Sequence, residues 1–162
     1  TADLQPLLAK VGSGRNFGRG KAIFEAAQCA LCHRYGDQGG AAGPDLTTIA
    51  TRFKRQDILE SMTEPSKVVS EQYMNAVFTQ KDGNIVVGRI KQETDDEVVV
   101  LINPFDATTT ATVKKSGIKT RELSKVSIMP PGLLSTFTED EILDLLAFLE
   151  SMNDPKHPDF NK

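Results

Sequence analysis

The sequence predicts an α+β protein, a mainly α-helical chain with an inserted antiparallel β subdomain. Apolar residues recur at helical spacing in the first 73 residues and after residue 138, whereas β-rich runs separated by turn residues lie between them. The 162 residues suit one domain, or one domain with a large insertion. The net charge of −3 argues against a nucleic-acid partner. We also expect no membrane span, since no apolar run is long enough.

The first helix is predicted over residues 16–28, where apolar side chains share one face. Gly20 inside it costs about 1 kcal/mol relative to alanine. That cost is explained if another helix passes close by, and a plain amphipathic helix that tolerates a glycine is the alternative. Residues 4–14 indicate a brief helix or a linker, so residues 1–15 are assigned as an N-terminal extension or linker.

Two further helices are predicted in the helical part. One runs from Arg55 to about Met62 and is ended by Thr63-Glu64-Pro65, and Pro65 is expected to open another helical turn. The other begins at Thr138-Glu139-Asp140-Glu141, which has the pattern of an N-cap and capping box. An apolar stripe follows it, made by Ile142, Leu145, Leu146 and Leu149.

Five segments in the middle of the chain predict a meander of antiparallel strands. They are Met74–Gln80, Ile85–Lys91, Glu97–Asn103, Thr108–Val113 and Ile118–Leu123. We therefore assign residues 74–125 to an inserted β-rich subdomain. Residues 16–73 and 126–152 then form the helical core, and residues 153–162 form a C-terminal tail.

Cys29-Ala30-Leu31-Cys32-His33 contains both cysteines of the chain. C-x-x-C-H is the pattern of covalent c-type haem attachment, in which two thiols add to the vinyl groups along one porphyrin edge. The next side chain then lies under the ring, where its nitrogen can reach iron. The motif predicts one covalent haem c attached to Cys29 and Cys32, with His33 as an iron ligand. Because c-type haem is attached outside the cytoplasm, we expect an exported, periplasmic protein whose export signal or larger N-terminal portion has been removed.

Three other interpretations of this motif are weaker. A structural zinc site requires four ligands, and the only other histidine is His157, far away in the sequence. A thioredoxin-type pair lies at a strand–helix junction, and nothing before Cys29 predicts a strand. A disulfide would be an isolated crosslink in a chain large enough not to need one.

A glycine-rich loop follows the motif and leads to Gly43-Pro44-Asp45-Leu46, with Arg52 a few residues later. Together with C-x-x-C-H, these residues resemble a class I cytochrome c. The resemblance implies that the Pro44 carbonyl accepts a hydrogen bond from the second ring nitrogen of the axial histidine, which fixes its orientation. It also implies that Leu46 packs on the porphyrin and that Arg52 meets a haem propionate.

In class I cytochromes c, a Met-Pro loop shortly before the C-terminal helix supplies the sixth iron ligand. Here Met129 precedes Pro130 and Pro131, which stiffen the backbone in an extended form. A soft thioether also suits haem iron. The other methionines, Met62, Met74 and Met152, are assigned structural roles, and His157 is the main rival ligand. The same resemblance implies that the last helix crosses the first, with Gly20 and Phe24 meeting Leu146 and Phe148.

From about residue 16 onward, the chain is similar to one particular family, the planctomycete-type haem-binding domain. In that family a β-rich insertion interrupts a class I cytochrome c before the methionine loop. The matching stretches are Gly43-Pro44-Asp45-Leu46, Arg52-Phe53, Asp57-Ile58-Leu59-Glu60-Ser61, Glu64-Pro65-Ser66-Lys67, Asp82-Gly83, Met129-Pro130-Pro131-Gly132-Leu133 and the closing helix. Members often end long exported proteins that carry a dehydrogenase-like portion, so this chain is a candidate domain of such a protein.

The resemblance implies an electron carrier rather than an enzyme, since a six-coordinate haem has no open iron position. The expected partners are redox proteins, with a periplasmic dehydrogenase as donor and another cytochrome or an oxidase as acceptor. The alternative is a haem-based sensor or a peroxidase-like protein, whose sixth ligand is labile or absent. For the β insertion, partner docking, haem shielding and a decoration without a partner all stay open.

Overall fold

The structure is a computed structural model that describes residues 6, 8, 12–106 and 108–161. The brief helix expected within residues 4–14 lies largely outside the described residues. The chain divides into two compact units, Thr1–Pro65 with Pro130–Lys162, and Ser66–Met129. The second unit is wider than the insertion assigned from the sequence, because residues 66–73 and 126–129 belong to it.

The first unit is helical, with one small hairpin. Its described elements are α1 (Phe17–Ala26), α2 (Cys29–Cys32), β1 (Arg34–Tyr35), β2 (Gln38–Gly39), α3 (Arg55–Thr63) and α4 (Glu139–Glu150). Short 3₁₀ turns lie at Ile49–Thr51 and Pro158–Phe160. No helix in the described part of the chain is long and apolar enough to cross a membrane.

The ends of the longer helices follow local sequence signals. Asn16 caps α1, because its side chain accepts a hydrogen bond from the Arg19 amide at 2.8 Å. The predicted capping box of α4 is confirmed: the Thr138 side chain accepts from the Glu141 amide, and the Glu141 carboxylate accepts from the Thr138 amide at 2.7 Å. Such caps satisfy amides that the first turn of a helix leaves unpaired.

The predicted end of α3 before Pro65 is confirmed, but the helical turn expected after Pro65 is wrong. Residues 66–70 form a turn and bends followed by irregular backbone instead. Ser66 is held by a contact from a distant part of the second unit, since its Oγ accepts a hydrogen bond from the Ser127 amide at 3.0 Å. This long-range contact outweighs the local preference of the residues after Pro65.

The predicted crossing of the first and last helices is confirmed at Gly20, Phe24 and Phe148. A Cβ atom at Gly20 would lie 2.7 Å from the Cβ of Phe148 and closer still to the Asp144 carbonyl oxygen. The rings of Phe24 and Phe148 lie 5.8 Å apart. Leu146 is fully buried on α4, and the Asp144 carbonyl group also lies beside Gly20. Gly20 therefore lets two helix backbones approach closely.

The second unit is one five-stranded antiparallel sheet. Its strands are β3 (Ala76–Gln80), β4 (Ile85–Glu93), β5 (Glu97–Leu101), β6 (Thr110–Lys114) and β7 (Ile118–Leu123). Their spatial order is β6-β5-β4-β3-β7. All five predicted strands are present, but the expected simple meander is wrong, because β7 pairs with β3 rather than with β6.

This strand order requires a strongly rolled sheet. The edge strands β6 and β7 are joined by only Lys115–Gly117, a 3₁₀ turn. Such a turn advances about 2 Å per residue, whereas the edges of a flat five-stranded sheet would be about 19 Å apart. The interior holds a buried cluster of Ala76, Phe78, Val98, Val100 and Val113.

The fold class predicted from the sequence is confirmed as mixed α and β. The described helices and strands contain nearly equal numbers of residues. A mainly helical composition therefore describes the first unit and not the whole chain.

Candidate haem site

The C-x-x-C-H motif forms a single helical turn between α1 and the small hairpin. Gln28 adopts a left-handed conformation (φ 61°) that separates α1 from α2. The His33 amide donates to the Cys29 carbonyl at 2.9 Å, which closes the turn, and His33 itself has extended backbone. The two cysteines are not joined by a disulfide and are half-buried. The turn thus holds two thiols and an imidazole in one short, fixed segment.

The His33 ring is held by the loop that follows the hairpin. Its Nδ1 lies 2.8 Å from the Pro44 carbonyl oxygen. A carbonyl can only accept, so Nδ1 carries the hydrogen and the lone pair of the imidazole is on Nε2. A Cβ atom at Gly43 would lie 2.6 Å from Cε1 of the ring. Any side chain at position 43 would therefore displace the imidazole.

Backbone hydrogen bonds fix this loop against the motif. The amide of Gly40 donates to the Ala30 carbonyl at 2.9 Å, and the amide of Gly43 donates to the Cys32 carbonyl at 2.8 Å. Both donors contact carbonyls within the C-x-x-C-H segment itself. The loop and the motif therefore fold as one structure, and the position of the Pro44 carbonyl depends on it.

Burial shifts the pKa of each group in the motif in the direction that favours the neutral form of that group. It raises the pKa of the Cys29 thiol to about 11 and also raises the pKa of Cys32. Burial lowers the pKa of His33, and the hydrogen bond to Pro44 opposes this shift only in part. The polypeptide thus presents protonated thiols and a neutral imidazole at neutral pH. A neutral imidazole is the form that ligates metals.

The other residues assigned to the site lie in or near the same loop. Pro44 and Leu46 are half-buried, and the Leu46 amide donates to the Arg34 carbonyl at 2.9 Å. Arg52 is exposed, and its Nη2 donates to the Asp45 carbonyl at 3.3 Å. Arg52 is therefore beside the loop that holds His33. The porphyrin contact of Leu46 and the propionate contact of Arg52 stay predictions.

Met129 lies at the boundary of the second unit, directly before Pro130, where the chain returns to the first unit. It is half-buried, and its amide donates to Ser127 Oγ at 3.1 Å. Among the alternatives, Met62 is buried on α3 and Met152 is exposed. The role of Met129 as an iron ligand stays a prediction.

The rival ligand His157 is engaged within the C-terminal tail. Its Nδ1 accepts a hydrogen bond from the Asp159 amide at 3.4 Å, and its ring centroid lies 6.2 Å from that of Phe160. Phe160 in turn packs edge-on against Phe17 of α1 at 5.3 Å. His157 is thus part of a segment packed on the helical unit.

Sequence reasoning assigned no individual role to Gly43, which the structure places against the His33 ring, or to Asp45 and Thr47, which lie in the loop that holds this ring. The local signal was present for two of them, because Asp-x-Thr is a common turn in which the aspartate accepts from the residue two positions later. The Thr47 amide indeed donates to Asp45 Oδ1 at 2.8 Å. The contact of Gly43 with the imidazole depends on tertiary structure and has no local signature.

The residues present fit a covalently attached haem. Two neighbouring thiols, an imidazole with Nε2 available and a glycine that gives its ring space form the donor set that such attachment uses. In the part of the chain that the structure describes, no three His, Cys, Asp or Glu side chains form a group that could hold a metal ion by themselves.

The family model described as cytochrome c matches residues 17–103, which is more than half of the chain. The chain belongs to the cytochrome c family. The match begins at α1 and includes the C-x-x-C-H turn and the loop that holds His33. The cofactor of this cytochrome is accordingly a covalently bound haem c with iron, and family membership indicates haem-based electron transfer. No curated protein matches this cytochrome.

Proposed function

We propose that this cytochrome carries single electrons through one haem attached to Cys29 and Cys32, with His33 and Met129 as the two axial ligands. The observation that carries this proposal is the state of His33. Its Nδ1 donates to the Pro44 carbonyl at 2.8 Å, which fixes the tautomer of the ring. The lone pair is then on Nε2, which can bind iron. When bound, the haem supplies the one-electron couple, and the chain's own residues attach and orient it.

The choice of Met129 is supported by the stiffness of its segment and by the engagement of its rival. Two prolines follow it, and its own amide is held by Ser127. His33 donates through Nδ1, whereas His157 Nδ1 accepts from the Asp159 amide, so the lone pair of the neutral His157 ring is used within the tail and Nε2 carries the hydrogen. A thioether opposite an imidazole raises the reduction potential relative to two imidazoles, which suits an acceptor of electrons from a dehydrogenase.

The same proposal includes the finer family, the compartment and the partners. The position of the five-stranded unit, whose last residue is Met129, supports membership of the planctomycete-type haem-binding domains. Export follows from the chemistry of c-type haem attachment. An exported dehydrogenase, fused or separate, is the proposed donor, and another cytochrome or an oxidase is the proposed acceptor. The chain itself then acts as a carrier, or as the carrier domain of a larger dehydrogenase.

The proposal is tested by expressing the chain in a host that matures c-type haem and recording its mass, absorption and magnetic circular dichroism. We expect a red protein, heavier than the polypeptide by one haem, with a thioether–iron signature. Met129→Ala should abolish that signature, while the matched control Met152→Ala should keep it, because Met152 is exposed.

Each component of the proposal has an outcome that contradicts it. Colourless protein of unshifted mass, with both thiols free, refutes haem attachment. A thioether–iron signature retained in Met129→Ala refutes the ligand assignment. So does a wild-type spectrum of two imidazole ligands that changes in His157→Ala. Carbon monoxide binding to the reduced wild-type protein would favour the sensor or peroxidase-like alternative, which requires an accessible iron position.

A further inference from the structure

Thr47 lies in the loop that holds His33 and connects this loop to the small hairpin. Its hydroxyl donates to Asp45 Oδ1 at 2.5 Å and accepts from the Gly36 amide at 2.9 Å. Its own amide donates to the same Asp45 oxygen at 2.8 Å. A single hydroxyl therefore joins the loop to the hairpin that begins directly after His33.

These hydrogen bonds, together with the backbone between them, form a closed ring that includes His33. From His33 the chain runs through β1 to Gly36, and the Gly36 amide contacts Thr47. Thr47 then holds the Asp45 carboxylate, and Asp45 shares a peptide group with Pro44. The carbonyl of that peptide accepts the hydrogen bond from His33 Nδ1 at 2.8 Å. This ring of contacts leaves the Pro44 carbonyl little freedom to rotate.

Two further observations show that Asp45 is held in this position. Hydrogen bonds from Thr47 hold the pKa of the Asp45 carboxyl below its usual range, so it accepts as a carboxylate at neutral pH. Its backbone carbonyl also accepts from Arg52 Nη2 at 3.3 Å. The ion pair with Arg34 is long, 3.9 Å between Nε and Oδ2, and exposed, so it adds little.

We propose that Asp45 and Thr47 are positioning residues that set the strength of the hydrogen bond between His33 and the Pro44 carbonyl, and through it the reduction potential of the cytochrome. This inference rests on the proposed function, in which His33 is an axial ligand. A strong hydrogen bond from Nδ1 makes the imidazole a better electron donor, which favours the oxidised state. Loosening the Pro44 carbonyl weakens that bond and raises the potential.

The test compares haem-loaded wild type with Thr47→Val, which keeps the shape of the side chain but removes both hydroxyl contacts. We expect the equilibrium constant for reduction to increase up to about tenfold, equivalent to 59 mV for a one-electron couple. The His33 Nδ1 proton, followed by NMR in the reduced protein, should shift upfield because its hydrogen bond is weaker. Thr47→Ser, which restores the hydroxyl, should return both quantities to wild-type values.

Thr48→Val is the matched control, because the exposed Thr48 side chain makes no capping hydrogen bond. It should leave the potential unchanged. Asp45→Asn provides a second test if Thr47→Val does not fold, and it should also raise the potential, since a neutral amide is a weaker acceptor. A haem-loaded Thr47→Val or Asp45→Asn protein with the potential and proton shift of wild type overturns the inference. Failure of the wild-type chain itself to bind haem would refute the proposed function instead.

Discussion

The close approach of α1 and α4 at Gly20 makes a sharp prediction about stability. In Gly20→Ala, the added methyl group would lie 2.7 Å from the Cβ of Phe148 and even closer to the Asp144 carbonyl oxygen. Neither atom belongs to the flexible end of a side chain, so no rotamer change can relieve the overlap. The two helices must separate, which also loosens the packing of Phe24 and Phe148, whose rings lie 5.8 Å apart.

The expected cost follows from two opposing terms. Overpacking a close-packed core costs about 1–3 kcal/mol, and the upper part of this range applies when backbone must move. Alanine is favoured over glycine inside a helix by about 1 kcal/mol. The net effect is a loss of about 2 kcal/mol in the free energy of unfolding. For a chain of this size, that corresponds to a fall of about 4–8 °C in Tm.

Gly18 provides a control in the same helix. A Cβ atom there meets only Asn16 Oδ1, at the ordinary contact distance of 3.5 Å. Gly18→Ala should therefore stabilise the protein by about 0.5–1 kcal/mol. Urea unfolding of the haem-loaded proteins, followed through the Soret band, measures the helical unit. A Gly20→Ala protein as stable as Gly18→Ala would refute the close packing of these helices.

Two other predictions concern charged groups. Asp144 is fully buried, accepts from the Asn16 amide at 3.2 Å and pairs with Arg19, so Asp144→Asn should cost about 2 kcal/mol in urea unfolding because a buried carboxylate that accepts two hydrogen bonds becomes a neutral amide. The exposed Asp140→Asn is its control and should change stability by less than about 0.5 kcal/mol. In the second unit, hydroxyl donors from Thr108 and Thr109 lower the pKa of Asp106 from 3.8 to about 2. The stabilising contribution of the Asp106 carboxylate is thus complete above pH 3.8 and lost as the pH falls toward 2. In Asp106→Asn, the free energy of unfolding should therefore depend less on pH across this range. A pH dependence unchanged from wild type would show that these hydrogen bonds do not form.

Much of the helical unit follows from local signals in the sequence. The range predicted for the first helix begins at Asn16, which is its N-cap. The capping box at Thr138 marks the start of α4, and Pro65 marks the end of α3. Each signal depends on residues within one turn of one another, so it can be recognised without knowledge of tertiary structure.

The residues of the haem site likewise divide into those that local sequence signals reveal and those that depend on tertiary structure. Cys29, Cys32 and His33 are recognisable because their chemistry depends on adjacency in the chain. The roles of Gly43 and Thr47 depend on which distant atoms they meet, the imidazole of His33 in one case and the Gly36 amide in the other. Sequence spacing carries no information about such contacts, and only the folded loop brings them together.

The pairing of β7 shows why the strands could be predicted but not their order. A three-residue connection usually makes a hairpin, and neighbouring strands in the chain usually pair. Here the connecting turn is bound elsewhere: the Lys115 amide donates to the Asp96 carbonyl before β5, and the Gly117 carbonyl accepts from the Lys81 amide after β3, both at 2.8 Å.

The turn therefore crosses one end of the rolled sheet and delivers β7 to the free edge of β3. This arrangement covers an edge that would otherwise expose unpaired amides and carbonyls. It also packs Ile118 against the buried cluster that contains Phe78. Glu93 of β4 also forms ion pairs with Lys115 in the turn and with Arg121 of β7, each at 2.9 Å. The burial of Ile118 and the hydrogen bonds of the connecting turn, rather than the length of the connection, thus favour this strand order.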